Sequence, residues 1–530
     1  MSRTGFPLLT ALLLAGVGLA DERGPVPRHL GSDAALDALV RKIDRHLEAF
    51  WTSNDVTPAP IADDAEFFRR LSLDVVGRIP TAAEARAFAE SRDPDKRRKK
   101  IDELFARPGY VNHFATVLRQ TWIPQVVENP QFAFFGPQFE TWLRNRLRDN
   151  DPVDKVVREL LTVPTLFANR RQPQPIGVGP DSPFAFMRVN EFKPENVAAA
   201  ATRLFMGVKI ECAQCHNHPH APYKREQFWE QAAFFAEVQP TVANLSDAKY
   251  KREIKIPESP AVVTAKFFDD RRDPNWAGTK SPREVFVDWL TAPANPYFAR
   301  NMANRAWAHF LGTGLVDPID EPADDNPPAI PEVLDELARA FTASGYDMKF
   351  LLRAVARSKA YQLTSRQTHA SQADPRRFAR VSVKALSGEQ LFDSLGLATG
   401  YHDPTPEQDR PFAFTSRRDF IAKFGSVEKV TEKQTSILQA LTLMNGRFVN
   451  DQTSLDRSQF LAGVVDAPFW DAGARVDVLF LATLSRKPTP AEREKFASYV
   501  DRGGANGDAK KAIADVFWAL LNSSEFVLNH

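Results

Sequence analysis

Two cysteines and a histidine form the most reactive pattern in this chain of 530 residues. Cys212 and Cys215 are the two cysteines of the sequence, and His216 follows the second directly. This CxxCH spacing is typical of c-type haem attachment, because each thiol can add to one vinyl group of the haem. The histidine is then held against one face of the ring as an axial ligand of the iron. We therefore predict haem c as the cofactor, bound by Cys212, Cys215 and His216.

The same residues allow two other interpretations. A CxxC pair can form a disulfide, either redox-active or structural. Two thiolates can also bind zinc or iron directly, with His216, His218 or His220 completing the site. In that interpretation His218 is a metal ligand, whereas beside a haem it is only a neighbour. The residues alone leave these alternatives open.

The ligand on the opposite face of the haem does not follow from the spacing. The histidines just after His216 are too close along the chain to reach over the ring. Met187 and Met206 are the nearby thioethers, and His113 and His309 are the more distant options. Apolar neighbours favour core positions for Met187, Met206 and His309.

The N-terminus predicts export. One positive charge is followed by a mostly apolar run from Phe6 to Ala20, which ends in small residues, as in a secretory signal peptide over residues 1–20. The run is short for a membrane span, which needs about 20 apolar residues, although a retained anchor is the alternative. We therefore expect a periplasmic or extracellular protein with no membrane span after signal removal. Bacterial c-type haem is also attached outside the cytoplasm, which agrees with this location.

Composition limits the classes of partner. Lys and Arg total 68 and Asp and Glu total 67, so the formal charge is +1, which argues against nucleic acid or an anionic membrane surface as a partner. Hydrophobic residues make up 43%, enough for a large buried core. The length predicts two or three domains. With two cysteines, the protein is not a disulfide scaffold, so its stability depends on packing.

Helical periodicity dominates the chain and predicts a mainly α fold. Apolar residues recur at helical spacing over Ala34 to Phe50. Thr81 and Glu84 form a capping-box pattern, and Thr489 and Glu492 repeat it near the C-terminus. The residues around the two patterns are alike, which indicates two copies of one helical hairpin. Shared capping preferences without a common origin are the alternative.

The predicted organisation is two helical lobes joined by a Pro-rich, partly β connecting segment. We expect a helix over Pro194–Met206 before the CxxCH motif and another over Tyr223–Val238 after it, so that the motif lies on a helix–loop–helix. Strands are expected near Ile254–Ile256 and Ala261–Thr264, and loops over Gln172–Pro183 and Thr405–Phe424. The domain limits are 35–240 for the CxxCH domain, 241–279 for the connecting segment and 280–530 for the second helical domain.

Several motifs, in order, carry a resemblance to a known pair of domain families. In the first half they are Phe67-Phe-Arg-Arg-Leu-Ser-Leu-Asp-Val-Val-Gly-Arg-Ile-Pro-Thr81, Cys212–Pro219 and Ala232–Phe235. In the second half they are Asn295–Asn301, Asn304–Gly312, Gly314–Pro318, Ser344–Tyr346, Ser358–Leu363 and Ala519–Phe526. The first set resembles the planctomycete cytochrome-c-like domain of unknown function, family 1549. The second set resembles its usual partner, family 1553.

The resemblance implies an exported, mostly helical protein and leaves its activity undefined. It carries over Cys212, Cys215 and His216 as site residues, and His218 less directly. Our hypothesis is a c-type haem protein that transfers electrons to or from a redox partner protein, in the setting of oxidative polysaccharide processing, with carbohydrate as a further partner. The alternative is a non-haem structural or binding protein with a Cys/His zinc or iron site or a CxxC disulfide.

Overall fold

A computed structural model describes residues 32–129, 131–165, 167–169, 172–175, 181–219, 222–238, 251–268, 273–321, 326–401, 416–424, 443–444 and 446–530. The fold is mainly α-helical, as predicted. Among the helices that the structure describes, none combines the length and apolar character needed to cross a membrane. The predicted signal peptide over residues 1–20 lies outside the described residues.

The first half begins with a long helix whose start is set by a capping side chain. The hydroxyl of Ser32 accepts a hydrogen bond from the amide of Ala35 at 3.2 Å, and the helix then covers the predicted span. The helices of this half are α1 (Asp33–Ser53), α2 (Asp64–Val76), α3 (Ala82–Glu90), α4 (Lys96–Ala106), α5 (Pro108–Trp122), α6 (Gln125–Glu128), α7 (Gly136–Arg148), α8 (Val153–Thr162), α9 (Ala185–Val189), α10 (Pro194–Ala201) and α11 (Arg225–Ala233).

Helices resume at Pro282, near the start of the predicted second helical domain, and continue through the second half. They are α12 (Pro282–Leu290), α13 (Phe298–Leu311), α14 (Pro331–Ala343), α15 (Met348–Arg357), α16 (Lys359–Gln362), α17 (Gly388–Thr399), α18 (Ser416–Phe424), α19 (Arg447–Gln452), α20 (Gln459–Asp466), α21 (Ala472–Leu484), α22 (Pro490–Asp501), α23 (Ala509–Leu521) and α24 (Ser524–Val527).

Strands within the described residues form three small antiparallel pairs. They are β1 (Phe167–Asn169) with β2 (Gln172–Pro175), β3 (Glu253–Lys255) with β4 (Val262–Thr264), and β5 (Lys384–Ala385) with β6 (Leu528–Asn529). The second pair confirms the strands predicted for the connecting segment, with Ile254 opposite Val263. The third pair joins distant parts of the chain, because Lys384 lies opposite Asn529.

Two segments predicted as loops contain regular structure. In the first, Gln172–Pro175 forms a strand, since prolines are tolerated in a two-stranded edge pair that leaves one side of each strand unpaired. In the second, Ser416–Phe424 is a helix, while residues 405–415 lie outside the described residues. This helix is mostly polar, but it contains two buried phenylalanines. Phe420 and Phe424 lie four positions apart and are each 5% exposed. Their burial stabilises the helix against the local preference.

Both predicted capping boxes form. In each one the threonine accepts the amide of the glutamate, and the glutamate accepts the amide of the threonine, at Thr81 with Glu84 and at Thr489 with Glu492. A left-handed residue ends the preceding helix in both places, Gly77 with φ +78° and Ser485 with φ +60°. The two regions therefore share the same order of helix, turn, capped helix and helix.

Buried apolar side chains form two clusters that do not divide at the connecting segment. The larger cluster runs from Leu36 to Val381 and takes residues from both sides of it, and α1 packs on α14 and α15. The smaller cluster runs from Leu386 onwards and also includes Leu73 and Ile79 from the first half. Helix α2 contributes to both clusters. The domain limits at 35–240, 241–279 and 280–530 stay a prediction.

A buried polar junction lies where α2 contacts the second half. The carboxylate of Asp74, 2% exposed, accepts from the ammonium of Lys384 at 2.6 Å, from the hydroxyl of Tyr361 at 2.7 Å and from the amide of Asn529 at 2.7 Å. The Lys384 ammonium also donates to the carbonyls of His309 and Phe310 at 2.8 and 3.1 Å. Its three donors are therefore all used, as burial of an ammonium requires.

Two histidines complete the junction. The Nε2 atom of His309 lies 2.8 Å from the Asp74 carbonyl oxygen, and the ring centroids of His309 and His113 are 6.1 Å apart. Any side chain at Gly77 would clash with His113, because a Cβ there would lie 2.4 Å from its Nδ1. Burial lowers the pKa of His113 to about 3, with His309 and Lys384 adding to the shift, and burial also lowers the pKa of His309.

Removing the cation of the junction should destabilise the protein strongly. Lys384→Met leaves the Asp74 carboxylate buried without its charged partner, which costs about 3–5 kcal/mol of the free energy of unfolding. Lys487→Met is the matched control, because Lys487 pairs with Glu90 at 3.4 Å with both side chains about 60% exposed. Such a surface pair contributes about 0–1 kcal/mol. Urea denaturation measures both variants, and equal losses would contradict the role of the junction.

The junction also predicts loss of stability in mild acid. His113 binds a proton below pH 6.5 in the unfolded chain but only near pH 3 in the folded protein. The unfolded state therefore binds more protons between these values, and stability falls as the pH drops, by up to about 1.4 kcal/mol per pH unit.

His113→Gln should reduce this slope, measured as the free energy of unfolding from pH 7.5 to 4. Burial raises the pKa of Asp44 to about 6, which makes the folded protein more stable as the pH falls. This contribution is the same in wild type and in His113→Gln, so it cancels when their slopes are compared. His46→Gln, at a partly exposed position of α1, is the control for replacing a histidine outside the junction. Parallel curves for wild type and His113→Gln would show that His113 is not responsible.

Candidate functional site

The CxxCH motif lies on an exposed turn held by buried neighbours. Helix α10 continues as one π-helical turn over Thr202–Met206, and Gly207 then ends it with φ +70°. A 3₁₀ helix, Glu211–Gln214, follows and carries the first cysteine. This order confirms the predicted helix before the motif. Helix α11 and a 3₁₀ turn at Ala236–Val238 cover most of the helix predicted after it.

Apolar residues of the turn point inward while the thiols point outward. Ile210 and Ala213 are 0% and 1% exposed, whereas Cys212 and Cys215 are both exposed and free of any disulfide. The 3₁₀ geometry produces this arrangement, because Ala213 donates its amide to the Ile210 carbonyl at 2.8 Å and turns the flanking side chains to the surface. Both thiols are therefore accessible to a reagent or a cofactor.

Hydrogen bonds from residues of α11 hold the CxxCH turn in place. The indole N–H of Trp229 donates to the Gln214 carbonyl at 3.0 Å. The amide of Arg225 donates to the side-chain oxygen of Asn217 at 2.9 Å, and the Arg225 guanidinium donates to the Pro257 carbonyl at 2.6 Å. The turn is thereby tied to both the first helix after it and the β3–β4 hairpin.

The histidines after the cysteines differ in their surroundings. His216 is exposed, and its Nδ1 lies 2.7 Å from the Asn217 carbonyl oxygen. Since a carbonyl only accepts, Nδ1 carries the proton in this contact, which leaves the lone pair of Nε2 for a metal. His218 is half-buried, with its ring edge against Tyr223 at 6.0 Å between centroids. His220 lies outside the described residues.

The other candidates for a haem ligand are enclosed. Met206 is 2% exposed, and its sulfur lies 3.9 Å from the Gln231 side-chain nitrogen. Met187 is 0% exposed, while His113 and His309 belong to the Asp74 junction. The core positions expected for Met187 and Met206 are confirmed, whereas His309 is half-buried. In the part of the chain that the structure describes, no group of three His, Cys, Asp or Glu side chains is arranged to hold a metal ion.

Sequence reasoning missed a set of charged residues behind the turn. Arg203 lies 3.6 Å from Glu211, the residue just before Cys212, and 3.9 Å from Asp320. Asp320 also pairs with Arg305. These residues are far apart in the sequence, and their types are common on any surface, so no local pattern could identify them. Only the packing of α13 beside the π-helical turn brings them together.

Comparison with protein-family models gives two matches, one after the other along the chain. Residues 42–240 match the model described as PSCyt2, a protein of unknown function (DUF1549), and this match includes the CxxCH motif. Residues 282–420 match PSD1, a protein of unknown function (DUF1553). No curated protein and no solved structure gives a significant match.

Proposed function

We propose that this chain, which belongs to the proteins that join a DUF1549 domain to a DUF1553 domain, is an exported c-type haem protein that transfers electrons. Cys212 and Cys215 would hold the haem covalently, and His216 would bind its iron. The electron donor or acceptor would be a partner protein, with oxidation of a carbohydrate as the wider setting. The bound haem would supply one-electron chemistry through its iron.

The observation that carries the proposal is the combination of free thiols and an oriented imidazole on one turn. Both thiols are exposed, so each S–H can add across a vinyl C=C of a haem with no atom leaving and no net oxidation. The Nδ1 atom of His216 is engaged by the Asn217 carbonyl, which leaves Nε2 as the nitrogen that would bind the iron. A histidine that binds a metal commonly donates its other nitrogen to a backbone carbonyl in this way.

The residues around the turn also support one open position on the iron. Met187 and Met206 are buried, and His113 and His309 are half-buried in the Asp74 junction. With these side chains held within the fold, a haem bound by His216 would keep one position open to another ligand. An open position permits binding of small ligands or reaction with peroxide.

Covalent attachment has a direct test. Protein made together with a c-type haem maturation system should show a pyridine haemochrome spectrum and keep its haem through acid–acetone extraction. Cys212→Ala with Cys215→Ala should lose all haem that survives the extraction, because no thioether can form. Gln214→Ala keeps the CxxCH pattern and is the control. Haem retained in the double variant would contradict attachment, and zinc-rich protein without haem would favour the direct-metal alternative.

The neighbouring histidines separate the haem and direct-metal alternatives. His216→Ala should change the Soret band and the spin state, because the axial nitrogen is lost. His218→Ala should leave the haem bound with a small change in potential. If the thiolates instead bind a metal directly, His218→Ala should reduce the metal content by more than the roughly 10–100-fold effect of a residue that only supports a ligand. Equal and severe loss of cofactor in both variants would count against His216 as the ligand.

A further inference from the structure

The turn between α20 and α21 presents two neighbouring aromatic side chains to solvent. Phe469 is 94% exposed and Trp470 is 39% exposed. Large apolar side chains lie mostly inside a folded protein, and among those in the described part of the chain Phe469 is the most exposed. Adjacent exposed aromatic residues are typical of a surface that binds another molecule. This turn lies beyond both segments that match a family model, residues 42–240 and 282–420.

Hydrogen bonds hold this segment, the aromatic turn (residues 467–471), in one shape. The guanidinium of Arg475 in α21 donates to two carbonyls at the end of α20 and to that of Ala467, at distances of 3.0 to 3.2 Å. The carboxylate of Asp471 accepts the amide of Ala474 at 2.6 Å and so caps the start of α21. Because the aromatic turn is held at both ends, little freedom is left to lose when a ligand arrives.

Hydrogen-bonding side chains lie at both ends of the aromatic turn. Asp466 is the last residue of α20, and its carboxylate lies 3.2 Å from the Lys510 ammonium, with side chains that are 67% and 63% exposed. Asp471 is exposed at the other end. A carboxylate accepts hydrogen bonds and an ammonium donates them, so both kinds of group lie beside the rings. The aromatic turn therefore combines apolar ring faces with groups that bind hydroxyls.

Size and charge indicate the kind of ligand. A whole aromatic side chain has about 150–250 Å² of surface, so the exposed parts of the two rings amount to about 200–300 Å². A stable protein interface covers about 800 Å² on each partner, which the aromatic turn alone does not supply. The carboxylates of Asp466 and Asp471 oppose an anionic membrane surface. A sugar fits, because the C–H face of its ring stacks on an aromatic ring while its hydroxyls donate to carboxylates.

We propose that the aromatic turn is a binding site for a neutral polysaccharide. Its sugar rings stack on Phe469 and Trp470. Its hydroxyls donate to the carboxylate of Asp466 and accept from the ammonium of Lys510. The flanking carboxylates favour a neutral sugar over one that carries carboxylate groups, since like charges repel. The inference rests on the proposed function in taking carbohydrate as the setting of the redox reaction, and it adds the place at which the polysaccharide is held.

Affinity electrophoresis of the full chain tests the proposal. Wild type should migrate more slowly in native gels that contain a neutral polysaccharide, with mixed-linkage β-glucan, xylan and galactomannan as the three probes. Phe469→Ala with Trp470→Ala should raise the dissociation constant for the polysaccharide that binds by at least about tenfold, because the apolar stacking area is lost. Phe134→Ala, at a 49% exposed position in the first half, is the matched control and should bind as wild type does.

Two further variants keep the test decisive. Trp470→Phe keeps a flat apolar ring and should bind within about threefold of wild type. Where the thermal midpoint of the double variant falls by more than about 10 °C, Phe469→Ala alone decides, because a side chain that is 94% exposed contributes little to packing. Its dissociation constant should rise about threefold or more.

Three results overturn the proposal. The first is the absence of retardation of wild type in all three gels. The second is equal retardation of wild type and the deciding variant. The third is retardation by polygalacturonate alone, because an acidic polysaccharide does not suit the carboxylates beside the rings.

Other occupants of the aromatic turn give different outcomes. Sedimentation of wild type with phosphatidylcholine vesicles, lost in the double variant and without retardation in any gel, would assign a lipid surface. A dimer that forms at raised protein concentration and is lost in the double variant, again without retardation, would assign a second copy of the chain. Either result overturns the carbohydrate site.

The CxxCH variants separate this proposal from the proposed function. The chain with Cys212→Ala and Cys215→Ala should be retarded as wild type is, because the aromatic turn contains neither cysteine. Retardation of a wild type that carries no covalent haem would reject the proposed function and keep the carbohydrate site. Covalent haem in wild type without retardation in any gel would reject the carbohydrate site alone.

Discussion

The buried carboxylate of Asp74 is the constraint on which much of the fold depends. A charge removed from water is tolerated only where charged and hydrogen-bonding partners replace the lost solvent. Its partners Tyr361, Lys384 and Asn529 come from three separate elements, α16, β5 and β6, so each element must reach the same point beside α2. Helix α2 adds a second such demand through Arg69, which is 1% exposed and donates to carbonyls near the ends of α21 and α24. Two charged residues of α2, Arg69 and Asp74, thus bind to several elements of the second half and fix their positions beside this helix.

The CxxCH turn combines reactive groups with a rigid support. Trp229 and Arg225 hold the turn by hydrogen bonds, and the Lys209 amide donates to the Asp320 carbonyl, while the two thiols and the His216 ring remain at the surface. Preorganised support of this kind favours binding, because little freedom is left to lose when a cofactor or partner arrives. The turn also lies where the two matched domains meet, through α13 and the π-helical turn.

Local signals in the sequence predict many of the helices, including those before and after the CxxCH motif. Thr81 and Thr489 mark helix starts because the capping contacts involve residues three positions apart. The Asp74 junction could not be predicted in this way, since the partners of the Asp74 carboxylate are 287 to 455 positions away. The helix Ser416–Phe424 was missed for a related reason, because its stability comes from burying Phe420 and Phe424 against a distant cluster. The contact of Arg203 with Asp320 likewise depends on packing between two domains.

The large sequence separation between the residues of the Asp74 junction has a consequence for folding during synthesis. Asp74 and Asn529 are separated by 455 positions, so a growing chain contains α2 long before it contains all of its partners. During that interval the carboxylate and the apolar side chains beside it share a surface that cannot yet close. Such incomplete surfaces bind chaperones and aggregate readily. The Asp74 junction can therefore be completed only after the last strand of the chain has been synthesised.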